Sequence, residues 1–276
     1  MAEALSKEAV IHAPAPRRKS KVARAWGFFL RRVIGFDPSV ILNYRHLPRY
    51  FSDSRQFKKA GGQIAQYMPL LTDKSEQAGS ARGQYFHQDL LVASQIFENN
   101  PRRHVDIGSS VAGFGAHVAS FRKIEIMDIR PLRPTGHDNI AFFQANLMSE
   151  NGELDNISDS VSCLHTIEHF GLGRYGDPID PDGYLKGFRN LVKMVQPGGR
   201  LYISFPISQS TQVWFNAHRF FHPRAIFSWP GSEQLQLERF DYVDDAGDFH
   251  SLFPVHEEIP IVQNGCGIYT FKKIAG

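Results

Sequence analysis

The chain is short of cysteine, of long apolar runs and of excess charge, and each shortage removes a class of function. Two cysteines in 276 residues, Cys163 and Cys266, cannot build a disulfide framework or a zinc site of their own, so a reducing cytoplasm is the expected setting. No stretch approaches the roughly 18 consecutive apolar residues of a membrane span, and the first residues lack an apolar signal-peptide core. The formal net charge is only +3 and unevenly placed: residues 1–35 hold eight Lys or Arg against two Glu, which leaves the remainder at −3. A mildly acidic body carries no electrostatic footprint for nucleic acid.

Residues 1–19, rich in Ala and Pro and ending in Pro16-Arg17-Arg18-Lys19, read as a flexible tail. Val22, Trp26, Phe29 and Val33 recur at helical spacing among Lys21, Arg24, Arg31 and Arg32, which predicts a basic helix over 20–34. Such a helix either lies on an anionic membrane surface or docks its aromatic face on the body. With the poorly periodic stretch that follows, it forms an N-terminal extension and cap over 20–82, ahead of a main domain at 83–276. From residue 83 the pattern sharpens: Phe86, Leu90, Ala93 and Phe97 mark a helical face that Asn99-Asn100-Pro101 ends. β-type runs at 103–107, 124–128, 141–144, 160–164 and 200–205 alternate with helical patterns at 111–121 and 183–195. Two late β-type segments follow at about 236–243 and 266–272. This alternation predicts an α/β, Rossmann-like, doubly wound and mostly parallel sheet.

The run Val105-Asp106-Ile107-Gly108-Ser109-Ser110 ends a strand in an acid and a small-residue turn, and a helical pattern follows. Twenty-two residues after Asp106, a second acid, Asp128, ends the next β-type run. In an α/β sheet this is how a nucleoside is held: backbone approaches the ligand at the turn, and the second acid accepts from ribose hydroxyls. Two nucleotide loops are excluded. Gly115-Ala116-His117 lacks the Gly-Lys-Ser/Thr of a phosphate loop, and glycines at 108, 113 and 115 do not make G-x-G-x-x-G.

Five segments together carry a resemblance: Val105 to Gly115, Met127-Asp128, Gln144-Ala145-Asn146-Leu147, Ser162-Cys163-Leu164-His165-Thr166-Ile167-Glu168-His169, and Gln196-Pro197-Gly198-Gly199-Arg200-Leu201. In order and spacing the chain resembles class I S-adenosylmethionine-dependent methyltransferases over roughly residues 84–272. Two family glycines are replaced here, by Ser110 and Ala112. A narrower likeness, at Thr166-Ile167-Glu168-His169-Phe170-Gly171-Leu172-Gly173-Arg174-Tyr175-Gly176-Asp177-Pro178, is to a little-characterised branch known as a domain of unknown function. Its bacterial members often accompany surface-polysaccharide genes. The resemblance implies an antiparallel last strand and S-adenosylmethionine as cofactor, with S-adenosylhomocysteine as product and no metal. Asp106, Gly108, Ser109 and Ser110 would then lie along the methionine end, Asp128 at the ribose, and Ile129, Asn146 and Leu147 at the adenine. His165 would face the sulfonium and the acceptor.

Methyl transfer to a hydroxyl calls for a base. His165, Glu168 and His169 at the fourth strand's exit are candidates, as is His218 after the fifth. Arg174, Tyr175 and Arg219 are candidate acceptor contacts. The stretch from Gly171 to Gly176 is either a loop that closes on substrate or a tight connector with positive φ. The Asp/Asn-Pro-Pro-Tyr segment of DNA and protein N-methyltransferases is missing, with Ser162-Cys163-Leu164-His165 in its place. What the resemblance to the branch that accompanies surface-polysaccharide genes implies is a sugar O-methyltransferase acting on a cell-surface glycan or its lipid-linked precursor, in the cytoplasm or at the inner membrane face. The alternatives are a secondary-metabolite O-methyltransferase and a non-catalytic binding protein of the same fold.

Overall fold

The computed structural model describes residues 43–71, 73, 79–149 and 152–274, so the tail at 1–19 and the basic helix expected over 20–34 lie outside the described residues. The chain divides into two units, residues 1–79 and 80–276. In the first, a 3-10 turn at Tyr44–His46 leads into α1 (Leu47–Lys59), which buries no residue. Among the described residues, no helix is long and apolar enough to cross a membrane.

The second unit is built on one mixed sheet. Its strands are β1 (His104–Ile107), β2 (Ile124–Asp128), β3 (Ile140–Gln144), β4 (Ser158–Leu164), β5 (Val195–Ile207), β8 (Leu235–Val243), β9 (Phe249–His250) and β10 (Gly265–Lys273). A separate hairpin pairs β6 (Gln212–Trp214) with β7 (His218–Phe220). The sheet order is β3-β2-β1-β4-β5-β10-β8-β9. The first five strands are parallel, and β10 runs antiparallel to both β5 and β8.

Both faces of the sheet are covered, which is why its central strands are buried along their length. On one face Val105, Ile107, Val161, Ile203 and Phe205 pack with Phe188, Leu191 and Val192 of α4 (Gly183–Met194). On the other, Ile124, Ile126, Tyr202 and Ile268 pack with Val92, Ala93 and Ile96 of α2 (Gln84–Asn99). The aromatic stripe expected to be the buried face of α2 is instead mostly turned outward: Phe86, Leu90 and Phe97 are exposed. The buried face includes Gln88 and Gln95, which reach the sheet as acceptors from Ser204 Oγ at 2.6 Å and Thr270 Oγ1 at 2.8 Å.

The helix expected at 111–121 opens as a wide π turn over Val111–Gly115, then tightens into α3 (Ala116–Ala119). Gly113 and Gly115 permit this, because a Cβ on either would meet Asp89 Oδ2 at 2.6 Å or Ile126 Cδ1 at 3.1 Å. The Gln196–Gly199 turn survives as a bulge inside β5: Ser158 pairs with Val195, yet Ser160 pairs with Arg200.

The chain runs from β1 outward to β2 and β3, then returns to place β4 on the other side of β1. Strand order reverses between β1 and β4, and the crevice beyond their carboxyl ends is where such sheets take ligands.

Candidate active site

Asp106 does not reach that crevice. It is fully buried, and its carboxylate accepts from Ser109 N at 3.1 Å, Ser109 Oγ at 2.6 Å and Ser162 Oγ at 2.5 Å. Strand register explains this: His104 lies beside Ser160 and Asp106 beside Ser162, so two polar rows meet inside the sheet. The expected contact with the methionine end is therefore corrected to one of support, since Ser109 Oγ in turn accepts from Leu164 N at 3.1 Å and ties the loop to β4. Burial, only partly offset by the serine hydrogen bonds, raises the Asp106 pKa to about 6. His104, held by Ser160 and Ser162, is kept neutral by burial, with a pKa near 3.

Gly108 turns the chain out of β1 at φ +68°, where a side chain would strike Thr166 Cγ2 at 2.3 Å. The bare backbone thus nests against the β4 exit. Gly108, Ser109 and Ser110 line a cavity of about 710 Å³, together with Asp128, Arg130, His165, Glu168, His169, Arg174, Tyr175 and His218. A smaller enclosed lobe of about 50 Å³ adjoins it, lined by Asp128, Ile129, Asn146 and Leu147 and sharing Gly108, Arg130, His165, His169 and Tyr175 with the first. Asn146 Oδ1 already accepts from Met148 N at 3.0 Å, and the Leu147 carbonyl is anchored by Asn190 Nδ2 at 2.7 Å.

At the β4 exit His165 adopts φ +48°, a conformation rare outside glycine and common where side chains are held for function. Its Nδ1 donates to Glu168 Oε1 at 3.0 Å, and His169 Nε2 lies 3.6 Å from the same oxygen. Burial disfavours charge on His165, but the nearby Cys266 sulfur and the Glu168 carboxylate outweigh it and raise its pKa. His169 is different. Its Nδ1 sits 2.7 Å from the Ala217 carbonyl, an atom that only accepts, so Nδ1 carries the hydrogen and Nε2 keeps a lone pair. Burial and the Arg174 guanidinium, against Glu168, lower the His169 pKa; burial lowers that of His218 as well. The cluster therefore sets one imidazole whose pKa is raised beside two whose pKa is lowered, a separation typical of acid–base sites. Buried His165 Nε2, Glu168 Oε2 and His218 Nε2 have no hydrogen-bond partner, and all three residues line the cavity. Such orphans mark a place built for a polar ligand.

The glycine-rich stretch is a tight connector. Asp177 accepts from the backbone of Gly171, Gly173 and Tyr175 at 2.9 to 3.1 Å, and Gly171, Gly173 and Gly176 all have positive φ. It presents Arg174, which donates to the Ala217 carbonyl at 2.9 Å, and Tyr175, whose ring lies 4.3 Å from the Arg130 guanidinium. Arg219 is a second correction. It is buried and donates to the carbonyls of Glu168, Phe170 and Pro181, so it braces the β4 exit and stays out of the cavity.

Sequence reasoning missed Arg130, Tyr85 and Asn264 in the wall. Arg130 had a local signal, two residues beyond Asp128. Tyr85, whose ring is 4.9 Å from that of His165, and Asn264 come from distant segments and had none. The residues present fit a nucleoside-bearing cofactor: a partly exposed acid on a strand tip, apolar walls from Ile129 and Leu147, and a bare backbone turn beside them.

A family model described as a Caenorhabditis protein of unknown function, DUF268, matches residues 137–228. That segment holds the histidine cluster and the connector but not the loop after β1. Comparison with curated proteins gives no match. Among solved structures, the [4+2]-cyclase SpnF is similar over 85% of this chain and 97% of its own, at 13% identity and a TM-score of 0.53. A Burkholderia thailandensis 1,6-didemethyltoxoflavin-N1-methyltransferase, solved with 1,6-didemethyltoxoflavin and S-adenosylhomocysteine bound, is similar over 86% of this chain and 89% of its own. Its identity is 13% and its TM-score 0.48. The N-methyltransferase NodS of Bradyrhizobium japonicum, in complex with S-adenosylhomocysteine, covers 76% of this chain and 93% of its own, at 12% identity and a TM-score of 0.46. At such identities likeness speaks to fold and leaves the reaction open. This chain has an α/β Rossmann-like mixed sheet, the fold it shares with the [4+2]-cyclase SpnF.

Proposed function

We propose that this chain is an S-adenosylmethionine-dependent O-methyltransferase, acting on a sugar hydroxyl of a cell-surface glycan or its lipid-linked precursor. One observation carries the reading: Asp128 at the tip of β2 and the His165–Glu168–His169 cluster at the exit of β4 line the same cavity. Asp128 would hold the ribose hydroxyls, Ile129 and Leu147 would flank the adenine, and the backbone at 108–110 would take the methionine end. When bound, the cofactor supplies an electrophilic methyl group.

This chain's own residues supply the base and the alignment. His169 Nε2, kept neutral with its lone pair free, accepts the proton of the acceptor hydroxyl. Glu168 Oε1, 3.6 Å away, then balances the imidazolium. An alcohol needs such a base far more than an amine does, which favours oxygen as the methylated atom; positioned bases are typically worth ~10²–10⁴-fold. The basic segment at 20–34 suits an acceptor carried at the inner face of a membrane.

The test is chemical. Surface polysaccharide from the parent strain should carry an O-methyl sugar by mass spectrometry, and deletion of the gene should remove it. Purified protein with methyl-labelled cofactor should restore the label to the unmethylated precursor. An unchanged polysaccharide after deletion contradicts the glycan assignment.

A further inference from the structure

We propose that Arg130 serves two partners in turn: it holds Asp128 in this structure, and when the cofactor's ribose takes Asp128, Arg130 joins Arg174 in binding an anionic group, phosphate or carboxylate, on the acceptor. The inference rests on the methyltransferase reading above and adds the charge of the substrate and its order of binding.

Both carboxylate oxygens of Asp128 are engaged by Arg130. Its Oδ1 accepts from Arg130 N at 2.8 Å and Nε at 2.9 Å, and its Oδ2 from Nη2 at 2.6 Å. Oδ2 keeps one lone pair free but Oδ1 has none, so a ribose diol that donates to both oxygens competes with the guanidinium at Oδ1. The lobe beside Asp128 is small, about 50 Å³. Arg130 and Tyr175 form part of its wall, with the guanidinium 4.3 Å from the ring centroid. A ribose that takes both Asp128 oxygens does so only if the Arg130 side chain lets go of Oδ1.

Two other carboxylates border the crevice, and neither is open to a withdrawn Arg130: Glu168 is buried. It is committed to His165, and Asp177 to three backbone N–H groups. Arg174, with its guanidinium 5.0 Å from the same tyrosine ring, meets the Ala217 carbonyl and the His169 ring. Along the wide cavity Arg130 and Arg174 match Asp128 and Glu168 in number, and a bound sulfonium would add a positive charge. Two guanidinium groups on one aromatic ring, once Arg130 has released Asp128, can meet an oxyanion that the ligand brings.

The experiment is titration calorimetry on the full chain and on Arg130→Ala and Arg130→Lys. Wild type should bind S-adenosylhomocysteine, and Arg130→Ala should bind it about two- to five-fold tighter, the range expected on freeing an exposed ion pair. Glucose 1-phosphate and glucuronate are then titrated with and without saturating S-adenosylhomocysteine, with glucose as the uncharged control. At least one anionic sugar should bind about five-fold or more tightly in its presence. Which of the two does so separates phosphate from carboxylate. The gain should vanish in Arg130→Ala, be partial in Arg130→Lys, and be absent for glucose.

Weaker or unchanged S-adenosylhomocysteine binding by Arg130→Ala would overturn the proposal, and weaker binding would make Arg130 a contact of the cofactor's own carboxylate. Failure of both anionic sugars to gain affinity overturns it equally. If wild type does not bind S-adenosylhomocysteine at all, the methyltransferase reading itself falls, and this inference falls with it.

Discussion

Replacing Asp106 by Asn removes a buried charge from beneath the loop that follows β1, and its signature is a change in how stability responds to pH. The carboxyl is fully buried, and its pKa is raised from 3.8 to about 6. A group with that shift binds more protons in the folded state than in the unfolded one between those two values. Stability therefore increases as pH falls through about 6 and levels off near 3.8. The full effect is about 3 kcal/mol, of which about 1.3 kcal/mol is realised between about pH 7 and about pH 5. Asparagine abolishes this contribution. It also turns an NH₂ toward serine donors that formerly met a carboxylate oxygen, at about 1–3 kcal/mol. At neutral pH the two changes nearly offset, so midpoint stability alone is a poor readout. Urea unfolding of both proteins at the two pH values gives the difference directly: wild type should gain about 1.3 kcal/mol more than the variant on acidification. Parallel behaviour of the two proteins would refute the argument that Asp106 is ionised and desolvated at neutral pH.

Gly171→Ala should be severely destabilising, about 3 kcal/mol or more in thermal unfolding, because its φ is +77° and its Cβ would lie 1.9 Å from the Asp180 carbonyl oxygen. Gly176→Ala, at φ +81° with open space around it, should lose only about 1 kcal/mol; equal losses would contradict the packing argument. His169→Ala should lower kcat about 10²–10³-fold while leaving S-adenosylhomocysteine affinity within about two-fold. Because burial and Arg174 outweigh Glu168 and lower the His169 pKa, the wild-type rate should hold through neutrality and fall only below the ordinary imidazole range. An acid limb at or above that range speaks against His169 as the base. Arg219→Met should cost about 3 kcal/mol by stranding buried carbonyls yet leave KM for the acceptor within about two-fold, whereas a substrate-binding arginine would raise KM.

Much of the sheet was legible because buried parallel strands leave an unmistakable run of β-type residues between helical patterns. Asp128 was legible for the same reason: an acid at a strand tip is fixed by local sequence alone. Asp106 misled because strand position gives depth in the sheet poorly; its partners Ser109 and Ser162 become visible only when β1 is laid beside β4. Arg219 misled although a signal was present. His218 and Arg219 are neighbours on β7, successive strand residues point to opposite sides, and only one of them can face the cavity. The polar half of the buried face of α2 had no signal in the sequence, since Gln88 and Gln95 are buried to meet Ser204 and Thr270, more than a hundred residues away.

The most direct test is calorimetric titration of S-adenosylhomocysteine into the wild-type chain and into Asp128→Ala. Saturable one-to-one binding, weakened about ten-fold or more by the substitution, which is about 1.4 kcal/mol of lost contact, is the result this structure predicts. Absence of binding at millimolar ligand, or undiminished affinity in Asp128→Ala, would show that the crevice beyond β1 and β2 does not receive the cofactor.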